Sequence, residues 1–153
     1  MVNLVTVSEY CECAPTEHWG VERLKIPRSE SIYKLARVVE LAKEHLNAED
    51  LEVVIPWTRN SISDATRLHA SYCEEFDTDA HFVAMLLTEL ETKGEYIDSE
   101  WCCNDKKLVA ACDAYRLTRA ERAHNGKVYV MEYYLKFAIA KSGNVILTVS
   151  NKI

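Results

Sequence analysis

The chain has 153 residues, of which 48% are hydrophobic and 27% charged, and its formal net charge is −6. This length and balance are typical of a single globular domain, here residues 1–153. An acidic chain disfavours nucleic-acid binding, which needs concentrated Lys and Arg, and no run approaches the ~20 apolar residues of a membrane span. Residues 1–10 lack the basic and apolar regions of a secretion signal, so we predict a cytoplasmic protein without a membrane segment.

The first third of the chain predicts two strands and one helix. Residues 2–7 mix β-branched and apolar side chains and predict a strand, whereas 11–28 predict irregular structure because Pro and Gly interrupt them. After a potential cap at Ser29, apolar residues recur at helical spacing and predict a helix over 30–46. The short apolar run 51–55 predicts a buried strand.

Three helices are predicted in the middle of the chain. Apolar stripes at helical spacing indicate helices over 62–75 and 79–93, the second of which we expect to stop at Gly94. Residues 95–103 are expected to form a connection. A fourth helix is predicted over 105–123, ended by Asn and Gly.

The end of the chain has the clearest β pattern. From Tyr129 to Ile139 every second residue is apolar, which predicts a strand with one buried face. A turn at residues 142–144 and the run Val145–Val149 complete a hairpin. The predicted fold is therefore α+β, with a mixed or antiparallel sheet of about four strands, about four helices and the order β-α-β-α-α-α-β-β.

Charges are sorted along the sequence. Residues 74–100 carry nine acids and one lysine, whereas 104–153 carry nine bases and four acids. Asp77 and Asp79 suit the start of a helix, but the later acids have no such local explanation. One interpretation is a solvated surface, and the other is a site for a basic protein partner. The predicted partner-binding residues are Glu74, Glu75, Glu89, Glu91, Glu95, Asp98 and Glu100.

We therefore expect an interaction protein, inhibitor-like or adaptor-like, that acts by binding rather than by chemistry. Phage-encoded inhibitors that present acidic surfaces to nucleic-acid-binding enzymes offer an analogy, so a phage or mobile-element origin is one hypothesis. Exposed strand edges could also pair two copies of the chain into a homo-oligomer.

Arg119 falls within the apolar stripe of the predicted fourth helix, and Arg116 lies at its edge. A buried unpaired charge is costly, so three interpretations of Arg119 stay open. Its side chain extends to water, pairs with an acid of residues 74–100, or binds a phosphate or carboxylate ligand.

The alternative function is a small-ligand protein or enzyme that binds a nucleotide or other anion. The junction between the second strand and the second helix would offer free backbone N–H groups, hydrogen-bond donors and an aromatic ring. A plain N-cap at Asn60 or Ser61, with Trp57 in the core, explains the same residues. The candidate anion-binding residues are Trp57, Thr58, Arg59, Asn60, Arg116 and Arg119.

The six cysteines indicate thiols rather than a disulfide framework. His69 and Cys73 lie four residues apart, and other cysteines could add ligands, but no paired zinc motif is present. A cysteine nucleophile beside His18 or His124 is a further interpretation. We predict no metal, no cofactor and no catalytic residue.

Overall fold

All described strands of the protein lie in one mixed sheet. A computed structural model describes residues 4–15, 24–47, 52–72, 79–104, 106–123 and 125–152. The strands are β1 (Val5–Thr6), β2 (Leu24–Ile26), β3 (Val54–Pro56), β4 (Gly94–Cys103), β5 (Leu108–Arg122), β6 (Val128–Ile139) and β7 (Ile146–Lys152). The helices are α1 (Leu35–Asn47), α2 (Arg59–Tyr72), α3 (Asp79–Thr88) and α4 (Leu90–Lys93). The α+β class is confirmed, but the sheet has seven strands rather than about four.

The long strand β5 is the centre of the sheet. The strand order is β2-β4-β5-β6-β7-β3, and β1 pairs in parallel with the start of β5. β4 and β6 flank β5 in antiparallel orientation, while β3 adds to β7 in parallel. The predicted C-terminal hairpin is confirmed as β6 and β7.

The predicted helix over 105–123 is wrong, because the described residues of this segment include strand β5. Its sequence is rich in Ala, Leu, Arg and Glu, which favour helices in isolation. From Val109 to Tyr115 every side chain is buried, so the alternation that reveals a strand is missing. Tertiary packing on both faces outweighs the local helical preference.

Two other segments also contain strands that the sequence did not reveal. Residues 95–103, expected to be a connection, belong to β4, and the described part of 11–28 includes β2. The element order therefore differs from the predicted one. In β4, Asp98 and Glu100 carry charges that obscure a strand pattern, although Glu100 is only 3% exposed.

The helices lie close to their predicted positions, with shifted ends. The helix predicted over 30–46 begins only at Leu35, and the one predicted over 62–75 begins at Arg59. The helix predicted over 79–93 is divided into α3 and α4. Gly94 ends α4 in an extended conformation, and a Cβ there would lie 2.5 Å from the carbonyl oxygen of Leu90. A glycine is therefore required where α4 turns directly into β4.

Both faces of the sheet carry buried side chains, and helix α3 packs on one of them. Cross-strand partners share a face, so Tyr133 of β6 lies on the same face as Leu117 of β5, and Phe82 of α3 meets the Tyr133 ring edge-on at 6.5 Å between centroids. The opposite face carries Cys112 and Lys136, which are also buried. Among the described helices, none is both long and apolar enough to cross a membrane.

Candidate functional site

Arg119 is held between two carboxylates on the helix-covered face of the sheet. Its Nε lies 3.2 Å from Oε2 of Glu89 and 2.8 Å from Oε1 of Glu121. Its Nη1 also donates to the sulfur of Met85 at 2.7 Å. The side chain is 19% exposed. Of the three interpretations, the geometry supports an ion pair with an acid of residues 74–100, although Arg119 lies on a strand and not on a helix.

Arg116 is also placed between two carboxylates, but at the surface. It lies 3.6 Å from Glu95 and 3.1 Å from Glu132, and these two side chains are 69% and 65% exposed. Arg116 and Arg119 are separated by three positions along β5, so they point to opposite faces of the sheet. They therefore do not converge on one ligand.

The acids between residues 89 and 100 are in different environments. Glu89, Glu91 and Glu95, which we call the acidic corner, lie where α4 runs into β4, and the last two are exposed. Asp98 pairs with Lys25 at 2.5 Å. Glu100 is buried, so it cannot contribute to a partner surface as predicted. Glu74 and Glu75 lie outside the described residues.

Carboxylates outnumber cations around the two arginines. This region contains five carboxylates and three cations. The carboxylates are Glu89, Glu91, Glu95, Glu121 and Glu132, and the cations are Lys93, Arg116 and Arg119. The positive charges are thus already balanced, and two negative charges are left over. This arrangement disfavours an anion clamp, because an incoming phosphate would have to displace a carboxylate from each guanidinium.

The strand–helix junction has the geometry of a helix cap. Thr58 Oγ1 accepts the backbone N–H of Ser61 at 3.1 Å and donates to the carbonyl of Val149 at 2.7 Å. The backbone N–H of Trp57 donates to the carbonyl of Thr148, and the Trp57 side chain packs against the core. The junction is thus a capped helix start with Trp57 at the core, but the capping side chain is Thr58 and not Asn60 or Ser61 as predicted.

A cavity of about 210 Å³ nevertheless lies beside this junction. Arg59 and Asn60, both exposed, line it from the start of α2, opposite Cys102 and Cys103 at the end of β4. Neither Arg116 nor Arg119 is among its lining residues, so the predicted anion-binding residues do not form one site. The participation of Cys102, Cys103 and Asn104 was not predicted, because residues 95–103 were assigned to a connection.

The surroundings of two described thiols disfavour nucleophilic catalysis. Cys11, Cys13, Cys102, Cys103 and Cys112 are all free. Burial, more than any nearby charge, raises the pKa of the Cys103 and Cys112 thiols, which disfavours the reactive thiolate. Cys73, His18 and His124 lie outside the described residues, as does the side chain of His69. Within the described ranges, no group of three or more His, Cys, Asp or Glu side chains could hold a metal ion.

Comparison with protein-family models, with curated proteins and with solved structures finds no match to this chain.

Proposed function

We propose that this protein acts by binding a basic protein partner through the acidic corner, as an inhibitor or adaptor and without chemistry of its own. The observation that carries the proposal is the double coordination of Arg116 and Arg119, because each guanidinium is already balanced and the five carboxylates around the two arginines exceed the three cations by two. A surface with this excess attracts cationic partners and repels nucleic acid.

The ion pairs at the surface leave the acidic corner available to a partner. Glu95 is 69% exposed and lies 3.6 Å from Arg116, a distance and exposure at which an ion pair contributes only about 0–1 kcal/mol. A lysine or arginine of a partner can replace such a contact at little cost. Glu91 is exposed as well. Binding at this corner needs no rearrangement of the buried sheet.

A reducing compartment is part of the same proposal. The described cysteines are free, and thiols persist in the cytoplasm, where disulfides are rare. The proposed partner is therefore a cytoplasmic protein.

The experiment compares two charge-reversal variants with the wild-type chain. Glu91→Lys/Glu95→Lys changes the acidic corner, and Glu40→Lys/Glu44→Lys makes the same change in net charge on the exposed side of α1. The wild type and both variants are immobilised and exposed to host lysate. Proteins that the wild type retains are identified and purified, and their affinity for all three immobilised proteins is measured at about 0.1 M and about 1 M salt.

The proposal expects a basic protein that binds the wild type and the α1 variant, and binds the corner variant at least about tenfold more weakly. Its affinity should also fall at the higher salt concentration, where screening shortens the range of the interaction. Equal binding to all three proteins, or affinity that salt does not change, would refute a site at the acidic corner.

The cavity beside Arg59 favours a second candidate function, the binding of a small anion such as a nucleotide. The start of α2 supplies backbone N–H groups near Arg59 and Asn60. A ligand that binds the folded state raises the melting temperature. A panel of nucleotides and inorganic phosphate that leaves the melting temperature of the wild type unchanged would eliminate this candidate.

A further inference from the structure

The ends of β5 and β6 extend beyond their neighbours as a two-stranded arm. The pairing of β4 with β5 begins at Leu117, and the pairing of β7 with β6 reaches only to Tyr134. Residues 118–122 and 128–133, which we call the arm, therefore pair only with each other among the described strands. Between Val128 and Glu132, the outer edge of β6 pairs with none of the described strands, so backbone N–H and C=O groups on that side have no strand partner among the described residues.

Both faces of the β6 part of the arm are open. Val128 is 56% exposed, Tyr129 43% and Val130 75%. Since successive side chains of a strand point to opposite faces, Val128 and Val130 lie on one face and Tyr129 on the other. An apolar segment that is exposed on both faces and along its edge does not belong to the core of a single copy.

The two strands at the ends of the strand order, β2 and β3, are protected, and the β6 edge of the arm is not. β2 has three residues and carries Lys25, and β3 has three residues and ends at Pro56. Short length, lysine and proline are the usual features that prevent edge pairing. Residues 128–133 contain neither lysine nor proline. An edge of this kind accepts an extended strand in preference to any other structure.

We propose that a second copy of this chain occupies the edge, with the two β6 strands antiparallel about a two-fold axis at Tyr129. This register places Tyr129 opposite its own copy and Val128 opposite Val130 of the other copy. Directly opposed residues then lie on the same face of the joined sheet, as antiparallel pairing requires. Aromatic and β-branched pairs of this type stabilise strand pairing.

The charges along the arm favour this antiparallel arrangement. Arg122 and Lys127 are exposed near its tip, whereas Glu132 is 65% exposed near its base. Antiparallel pairing brings the basic tip of one copy to the acidic base of the other. In the proposed register, Glu132 lies opposite Gly126 of the other copy, whose carbonyl accepts from Arg122, and Arg122 lies on the same face as Glu132 because it pairs with Val128. A parallel arrangement would place like charges together.

The dimer does not depend on the proposed function, because β5 separates the two surfaces. The acidic corner adjoins β4 on one side of β5, and the proposed contact lies along β6 on the other. A dimer would therefore present two acidic corners. Dimerisation and partner binding are measured in separate experiments, so either proposal can be refuted without the other.

Sedimentation velocity of the full chain over a concentration series tests the proposal. The chain has a mass of 17.5 kDa, and we expect the wild type to approach twice that mass as concentration rises. Val130→Lys should weaken dimerisation at least about tenfold, since charge blocks an edge. The control is Ile62→Lys, which places the same charge at an apolar residue 53% exposed on α2 and should still dimerise.

A complementary pair of variants tests the register. Val128→Glu and Val130→Lys should each be monomeric alone, and an equimolar mixture should form a heterodimer, because Glu at 128 then faces Lys at 130. A single cooperative thermal transition of each variant shows that it is folded, at a temperature below that of the wild type because the dimer contact is lost. A wild type that stays at 17.5 kDa, an association that Val130→Lys leaves intact, or a mixture that stays monomeric would overturn the proposal.

Discussion

Lys136 of β6 and Glu100 of β4 form an ion pair across the strand that separates them, β5, with 2% and 4% of their side chains exposed. Glu100 lies directly opposite Cys112 of β5 in the register. Burial alone would lower the pKa of Lys136, but electrostatic interaction with Cys102 and the hydrogen bond and charge of Glu100 outweigh it, so the pKa is raised. The ammonium is therefore retained inside the sheet, and Lys25 lies 3.1 Å from the other oxygen of Glu100.

The two partners of this ion pair should respond unequally to substitution. Glu100→Gln leaves Lys136 without an ion-pair partner among the described residues, and breaking a buried pair in this way costs about 3–5 kcal/mol. Lys136→Met should cost less, because Glu100 keeps Lys25. Urea unfolding of the two single variants measures the difference, and equal losses would contradict it.

A double variant separates the loss of charge pairing from the loss of packing. Glu100→Met/Lys136→Met replaces both charges with apolar side chains of similar length. Such replacements are often neutral or stabilising by about 1–4 kcal/mol, so the double variant should be more stable than Glu100→Gln. If it is less stable, the pair contributes specific packing that methionine cannot reproduce.

The two arginines of β5 provide a matched comparison of a shielded and an exposed ion pair. Arg119 is 19% exposed and contacts Glu121, which is 6% exposed, whereas Arg116 is 45% exposed. Arg119→Ala removes a cation from a nearly buried carboxylate and should cost about 1–3 kcal/mol. Arg116→Ala should cost at most about 1 kcal/mol. Urea unfolding at two salt concentrations checks both values, and a larger loss for Arg116→Ala would contradict this interpretation.

The sequence predicted those elements whose local pattern agrees with their final environment. The β6 strand has apolar side chains at every second position from Tyr129 to Ile139, and α1 has a single apolar stripe, so periodicity indicated both, although both faces of β6 are buried from Leu135 to Ile139. The strand β5 has helix-forming residues and is buried on both faces in its first half, and neither property indicates a strand. Its assignment depends on contacts with β4 and β6, which a local pattern does not contain.

The wrong assignment of β4 and β5 also limited how much of the candidate site could be predicted. Sorting the charges identified Glu89, Glu95, Arg116 and Arg119 as residues without a local explanation, and the structure brings them together as ion pairs. The buried partner of Lys136 was not predicted. Once β4 and β5 are assigned wrongly, the faces of neighbouring strands cannot be matched.

Alanine substitutions at two glycines with positive φ distinguish the energetic cost of backbone strain from that of a steric contact. Gly143 has a φ of 80°, and a Cβ there would lie 2.7 Å from Nη2 of Arg37, which pairs with Glu9. Gly126 has a φ of 81° and nothing within 4 Å of its Cβ position. Gly126→Ala should cost about 1 kcal/mol from strain alone. Gly143→Ala should cost more, because it also displaces Arg37.

Thermal unfolding of the two alanine variants measures this difference. A third variant, Arg37→Ala/Gly143→Ala, removes the side chain that the new methyl group would meet. The loss of stability caused by Gly143→Ala, measured in the Arg37→Ala background, should then be close to the loss caused by Gly126→Ala in the wild type. An equal loss for the two single glycine variants would show that Arg37 moves away without cost.

His45 makes stability depend on pH. Its buried ring accepts the backbone N–H groups of Val53 and Val54 at Nδ1, at 3.0 and 3.1 Å, and its centroid lies 4.8 Å from that of His81. Burial first, and then His81, lower the pKa of His45 below its ordinary value of 6.5. Protonation would also replace an acceptor with a donor and break both hydrogen bonds.

The sign of the pH effect follows from this lowered pKa. Below pH 6.5 the unfolded chain binds a proton at His45 while the folded protein does not, so stability falls as the pH falls toward the folded pKa. The free energy of unfolding should therefore be lower at about pH 5.5 than at about pH 7.5. His45→Asn keeps an acceptor without a titrating ring, so it should be less stable at neutral pH but should lose less on acidification. Urea unfolding at both pH values tests this, and an equal pH-dependent loss in the two proteins would assign the effect to other groups.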